Sequence, residues 1–166
     1  MTKKIIHARK LNYDDFSKFG DVIDTDGHDY FEINNGMCKR FNRISEINVD
    51  DKIGQPSISI FRSKHYHLPM HLKMLERHPF GSQAFMPLHS DPFLIIVAED
   101  INGKPAVPEV FITNGKQGIN ISRNTWHGVL TPIIRECDFL VIDLSDFQPN
   151  LEKSFLKETF VIKASL

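Results

Sequence analysis

Residues 72–98, LKMLERHPFGSQAFMPLHSDPFLIIVA, place the tightest limits on what this chain can fold into. They read as strands at Leu72–His78, Gln83–Leu88 and Phe93–Ala98, separated by two corners, HPFG and HSDP. Side chains of an extended chain alternate faces, so Glu76 and His78 project to the same side. Two ionisable groups on one face of a strand that leads into the apolar FLIIVA run should look into a pocket rather than out to water. A further histidine, His127 in RNTWHGVL, arrives later on what also reads as a strand. We therefore expect Glu76, His78, Gln83 and His127 to meet inside a small β-barrel.

The rest of the chain supports that architecture. Lys4 to Leu11 reads as a first strand. Asn12 looks like a helix cap, with Asp15 at the third helical position, Phe16 and Phe19 on one face and Gly20 as the stop, which predicts about two turns. FEINNGMCKRF resembles two short strands around an Asn-Gly turn, a strong hairpin signal. Ser57–Arg62, Glu109–Thr113, Gly118–Ile121, Thr125–Leu130, Phe139–Asp143 and Thr159–Lys163 read as further strands. Ile101–Pro108 and residues 146–157 read as loops, the second with one helical turn at most. Many short strands at about 8–12-residue spacing argue an all-β sandwich or barrel, and no repeat or linker divides residues 1–166 into more than one domain.

Composition excludes several classes. A formal net charge of −1 gives no electrostatic case for nucleic acid or an anionic membrane surface. The longest apolar stretch, Pro92–Ala98, falls far short of the ~20 residues that span a bilayer, and the basic N-terminus lacks the apolar run of a secretion signal. Cys38 and Cys137 show no paired spacing, so both are expected as small buried residues in a reduced, cytoplasmic, soluble protein.

Among closed antiparallel folds, a cupin-like double-stranded β-barrel (jelly roll) with a few short helices fits best. Cupins carry His-x-His, a glutamate four or five residues on, and a late histidine. Here the slots read Glu76-x-His78, Gln83 and His127: the spacing is kept and the residue types are altered. Each has a plainer reading, Glu76 as an exposed charge, His78 as a turn residue before Pro79, Gln83 as a strand-end polar group, His127 as a satisfied core histidine. His65-x-His67 with His71 is a competing ligand cluster, set in a turn where exposed histidines are common.

LERHPFGSQAFMPL, FLIIVA, FITNGKQGINISRNTWHGVL and FEINNG together resemble the ureidoglycolate lyase family, from about Phe16 to Asp143. The resemblance implies a cupin-like barrel, usually a homodimer, that cleaves ureidoglycolate to glyoxylate and urea in purine (allantoin) degradation. Glu76, His78, Gln83, Arg123 and His127 match the family. Ile121 and Ser122 stand where it commonly has Tyr-His, Gly128 and Val129 where it has His-Pro, and Glu32 where a histidine is frequent.

That reaction needs a base for the hydroxyl proton, an acid for the departing nitrogen, and donors for the carboxylate. Glu76, His78 and His127 are the expected catalytic residues, with Arg62, Gln83 and Arg123 binding the substrate, since a guanidinium pairs with a carboxylate bidentately. A cofactor is either not required or a divalent metal such as nickel, held by Glu76, His78, Gln83 and His127. The alternatives are a cupin-type isomerase or hydrolase on another small hydroxy or ureido acid, or a non-catalytic small-acid-binding barrel.

Overall fold

The structure, a computed structural model, describes residues 4–146 and 149–165. Two sheets make up nearly all of it. The larger runs in the order Lys4–His7, Glu152–Lys163, Met70–Arg77, Trp126–His127, Phe93–Ala98, Glu109–Ile112, Arg9–Lys10, with Thr131–Pro132 also paired to Phe93–Ala98. The smaller runs Gly20–Ile23, Gly118–Ile121, Gln83–Pro87, Cys137–Asp146, Gly54–Ser63. The result is a nearly closed, cupin-like β-barrel.

The FLIIVA run explains the layering. It is apolar without alternation because both of its faces are covered. Phe93, Ile95 and Val97 join Phe85, Phe111, Ile119, Phe139 and Val141 in a core shared by the two sheets. Leu94, Ile96 and Ala98 pack with Leu72, Leu75, Val110, Trp126 and Ile162 on the opposite face of the larger sheet. Each Val, Leu, Ile or Phe side chain among them taken fully out of water contributes about 1.5–3 kcal/mol.

Several expectations change in detail. The capped helix exists, with Asn12 Oδ1 accepting from the Asp15 amide at 2.9 Å and Asn12 Nδ2 donating to Asp15 Oδ2 at 2.8 Å. It is one turn long, Tyr13–Phe16, and is the only helix among the described residues. Gly20 is not its cap. It starts a strand, and a Cβ there would lie 2.0 Å from the Asn120 carbonyl oxygen, so only glycine permits that approach. The Asn-Gly hairpin forms between Phe31–Ile33 and Cys38–Arg40, its turn using left-handed Asn34, Asn35 and Gly36 (φ 54, 56 and 82).

The first strand is interrupted at Ala8 into two pieces, which pair in parallel with Glu152–Lys163 and Glu109–Ile112. The loop expected at 146–157 lies partly outside the described residues, and Glu152 onward is strand. Pairing with Met70–Arg77 satisfies that backbone whatever its polarity, through a register shift between Phe155 and Phe160. The expected Ile101–Pro108 loop contains a small hairpin, Asp100–Ile101 with Lys104–Pro105. Thr125–Leu130 shortens to Trp126–His127. Cys137 is buried as expected and Cys38 is exposed, both as free thiols. No described helix is long and apolar enough to cross a membrane.

Candidate active site

Strand register brings the early and late motifs together. His127 pairs directly with Glu76 on one side and with Val97 on the other. Directly opposed residues share a face, so both point the way Val97 does, towards the space between the sheets. Trp126, one residue earlier, faces the other way, where its indole N–H donates to Asp100 Oδ1 at 2.7 Å and Arg77 stacks on its ring at 4.4 Å. The alternation Glu76 in, Arg77 out, His78 in is thus the one read from the sequence. The smaller sheet contributes Gln83, Phe85 and Asp143 to the same cavity, which has a volume of about 830 Å³.

The polar atoms converge. One ligating atom from each of Glu76, His78 and His127 lies within 4.8 Å of the other two, and the two imidazoles sit 5.3 Å apart, centre to centre. His127 Nδ1 donates to the Thr125 carbonyl at 3.0 Å, and its buried Nε2 has no protein partner. Burial pushes this imidazole down to about 4, the Thr125 carbonyl opposing that and the neighbouring His78 adding to it. His127 is therefore neutral at neutral pH, with a lone pair on Nε2. His78 Nδ1 donates to the Asn150 carbonyl at 2.6 Å, so its neutral form also carries the lone pair on Nε2.

Two imidazoles with carbonyls fixing their outer nitrogens, beside a carboxylate, suit a divalent first-row ion. The orphaned Nε2 of His127 is the observation that fits this best. Gln83, expected as a fourth ligand, is 8% exposed and donates through Nε2 to Asp143 Oδ2 at 3.1 Å, which leaves its carbonyl oxygen and second N–H for the cavity. Neither Asp143 nor Asn150 carries a signal in the sequence, where Asp143 ends a strand and Asn150 lies inside the 146–157 loop.

The two arginines behave differently from expectation. Arg62 reaches the cavity wall, but its guanidinium grips Asp138 through Nε at 2.8 Å and Nη2 at 2.9 Å. Arg62 and Asp138 are register partners flanked by the inward Phe61–Phe139 pair, so this fork lies on the outer face. Arg123 is not among the cavity-lining residues. It donates to the Pro79 carbonyl at 3.2 Å and faces Asp50 at 3.7 Å, tying the HPFG corner to residues 48–50. A second cation at the mouth is Lys64, which is exposed and makes no ion pair among the described residues.

The His65, His67 and His71 cluster does not close. His65 sits at the cavity rim and its ring packs edge-on against His67, while His71 is exposed on Met70–Arg77. A second convergent trio, His89, Asp91 and Cys137, is partly committed: Asp91 pairs with Arg135 at 2.6 Å, its amide donates to His89 Nδ1 at 3.1 Å, and the Cys137 thiol donates to the Arg135 carbonyl at 3.2 Å, while His89 Nε2 is buried without a partner among the described residues. Of the positions that depart from the family pattern, Gly128 and Val129 line the cavity, whereas Ile121 is buried in the core and Ser122 is exposed outside it.

Comparison with known proteins identifies the family. The ureidoglycolate lyase family model matches residues 3–163. A ureidoglycolate lyase of Chelativorans sp. (strain BNC1) is 49% identical over 160 residues, covering 96% of each chain. One from Pseudomonas fluorescens is 45% identical over 152 residues, covering 89% of each. Ureidoglycolate lyase 2 of Rhizobium meliloti is 40% identical over 155 residues, covering 93% of this chain and 95% of that one. With a match running almost from end to end and the Glu76, His78 and His127 groups facing one cavity, the chain belongs to the ureidoglycolate lyase family.

Proposed function

We propose that this protein is a lyase that eliminates urea from ureidoglycolate and leaves glyoxylate. The convergence of Glu76, His78 and His127 on one cavity, in a chain of this family, is the observation that carries the reading. The reacting carbon bears a hydroxyl, a ureido nitrogen and a carboxylate. His78 Nε2 takes the hydroxyl proton, the oxygen's electrons form the carbonyl, and the carbon–nitrogen bond breaks. The same proton then passes from the imidazolium to the departing nitrogen, so atoms and charge balance. Glu76 stabilises the transient imidazolium from one side and the Asn150 carbonyl from the other.

His127, held neutral by burial, keeps an acceptor on the cavity wall rather than a second positive charge. Gln83, oriented by Asp143, offers an acceptor and a donor to the ureido group, and Lys64 at the mouth meets the carboxylate. Arg62 can add its remaining N–H groups at the rim. A divalent ion held by Glu76, His78 and His127 would supply positive charge to the substrate oxygens when bound; it would also take up the His78 Nε2 lone pair, so His78 serves as the base in the metal-free site and as a ligand in the loaded one.

The family reading extends to a homodimer and to purine degradation in the cytoplasm. For the homodimer, support comes from Ile58 and Ile60, 72% and 56% exposed on the outer face of the edge strand Gly54–Ser63. The deciding experiment follows glyoxylate release from ureidoglycolate by the purified protein, with and without added nickel. A rate no greater than spontaneous breakdown in both conditions ends the proposal. Parallel assays on allantoate and related ureido acids test whether Gly128 and Val129 have redirected the site.

A further inference from the structure

The corner His78-Pro79-Phe80 carries the central imidazole of the site, and its polar backbone groups are held from several directions. The Asn124 amide donates to the His78 carbonyl at 2.9 Å, and the Asp50 amide donates to the Phe80 carbonyl at 2.8 Å. Arg123 Nε donates to the Pro79 carbonyl at 3.2 Å. Pro79 has no N–H, so the first amide after His78 that can donate is that of Phe80. It donates to Asn150 Oδ1 at 2.9 Å. The main-chain carbonyl of the same Asn150 accepts from His78 Nδ1 at 2.6 Å.

One residue therefore holds both ends of the corner, its side chain on the backbone and its backbone on the imidazole. Asn150 is 8% exposed and comes from the far end of the chain, after the Cys137–Asp146 strand. The other three contacts fix the corner's backbone and none touches the ring. Among the described residues the carbonyl contact is the one hydrogen bond to the ring, and it places the proton on Nδ1; the side-chain tether sets where that carbonyl lies.

We infer that Asn150 is a positioning residue for His78: by clamping the Phe80 amide it seats its own carbonyl on Nδ1 and so keeps the Nε2 lone pair turned to the cavity. The consequence for turnover rests on the lyase reading above; the tautomer does not.

The test uses the full chain, 15N-labelled and held metal-free with chelator, and reads the imidazole nitrogens directly by NMR. In the parent, His78 should be the Nδ1–H tautomer with its proton shifted far downfield by the short hydrogen bond. In Asn150→Ala the signal should move to a mixture with the Nε2–H form, and kcat on ureidoglycolate should fall about 10–100-fold with KM changed much less, the usual cost of losing a group that orients a site imidazole. Asn150→Asp retains an acceptor for the Phe80 amide and should restore both the tautomer and most of kcat. Should Asn150→Ala not fold, Asn150→Ser replaces it, because its hydroxyl stays polar at a buried position and stops one bond short of the amide. An unchanged His78 tautomer in the folded alanine or serine variant overturns the inference, as does failure of Asn150→Asp to restore it. Because the spectra are recorded without substrate, a parent inactive on ureidoglycolate whose Nδ1–H tautomer still scrambles in Asn150→Ala would sink the lyase reading and leave the clamp standing.

Discussion

Glu76 and His127 are cross-strand partners, separated by 51 positions in sequence and opposed in the antiparallel pairing of Met70–Arg77 with Trp126–His127. That pairing sets a carboxylate and a neutral imidazole side by side on one cavity wall, and the proposed reaction uses them together. His127→Ala and Glu76→Gln should each lower kcat/KM by about 10²–10⁴-fold, with the barrel still folded by circular dichroism. The double variant should lose little more than the worse single one, as residues acting together are far from additive. Losses that multiply in the double variant would show the two groups acting separately.

Burial of His127 also makes a prediction about pH. Its folded value is pushed down to about 4, whereas in the unfolded chain it returns to the ordinary 6.5. Between those values the unfolded state binds the extra proton, so stability rises with pH through this window and is lost as pH falls from about 6.5 to about 4. The full loss is about 3 kcal/mol at 1.36 kcal/mol per unit. Urea unfolding at a series of pH values should show the decline, and His127→Gln should flatten it relative to the parent. An equal decline in both proteins would assign the acid sensitivity to other groups.

Much of this was readable in the chain, for identifiable reasons. Alternation along a strand is strict, so Glu76 and His78 were placed on one face from spacing alone, and the doubly covered Phe93–Ala98 strand announced itself by unbroken hydrophobicity. The Arg62 pairing is not legible locally because register sets it: Asp138 opposes it 76 residues away and takes two of its N–H groups, leaving the rest at the cavity rim. Arg123 was misplaced for a similar reason, its carbonyl and carboxylate partners lying in the 48–50 and Pro79 segments. Asp143 and Asn150 carry no local signature, since their roles consist of holding Gln83 and His78, which come from strands and corners distant in sequence. The polar start of the Glu152–Lys163 strand has the pattern of a loop, because strand pairing and not side-chain pattern determines it.

The acceptor set at the centre of the cavity leads to a ligand prediction. An ion that binds the folded state and not the unfolded chain raises the melting temperature by mass action. Nickel at saturating concentration should raise Tm of the parent and chelator should reverse the rise. His78→Ala and His127→Ala should each abolish the shift, while His89→Ala should leave it intact, because that imidazole belongs to a separate trio whose Asp91 is already paired with Arg135. A shift that survives both site variants would place the ion elsewhere.

Asp143 sets the direction of the Gln83 amide, and that arrangement can be tested on its own. Gln83 Nε2 donates to Asp143 Oδ2 at 3.1 Å, and at 8% exposure the amide has little water to replace a lost partner. Removing the acceptor in Asp143→Ala leaves a buried donor unpaired, a cost of about 1–3 kcal/mol, and frees the amide to turn. KM for ureidoglycolate should then rise on the order of 10-fold, the loss of about one good hydrogen bond to substrate. Asp143→Asn keeps an oxygen where the carboxylate was, so it can hold the same N–H and should stay within about twofold of the parent in KM, a change worth under 0.5 kcal/mol. Steady-state kinetics alongside urea unfolding separates the two consequences. If Asp143→Ala loses stability but keeps the parent's KM, Gln83 is a structural residue of the barrel and does not touch substrate.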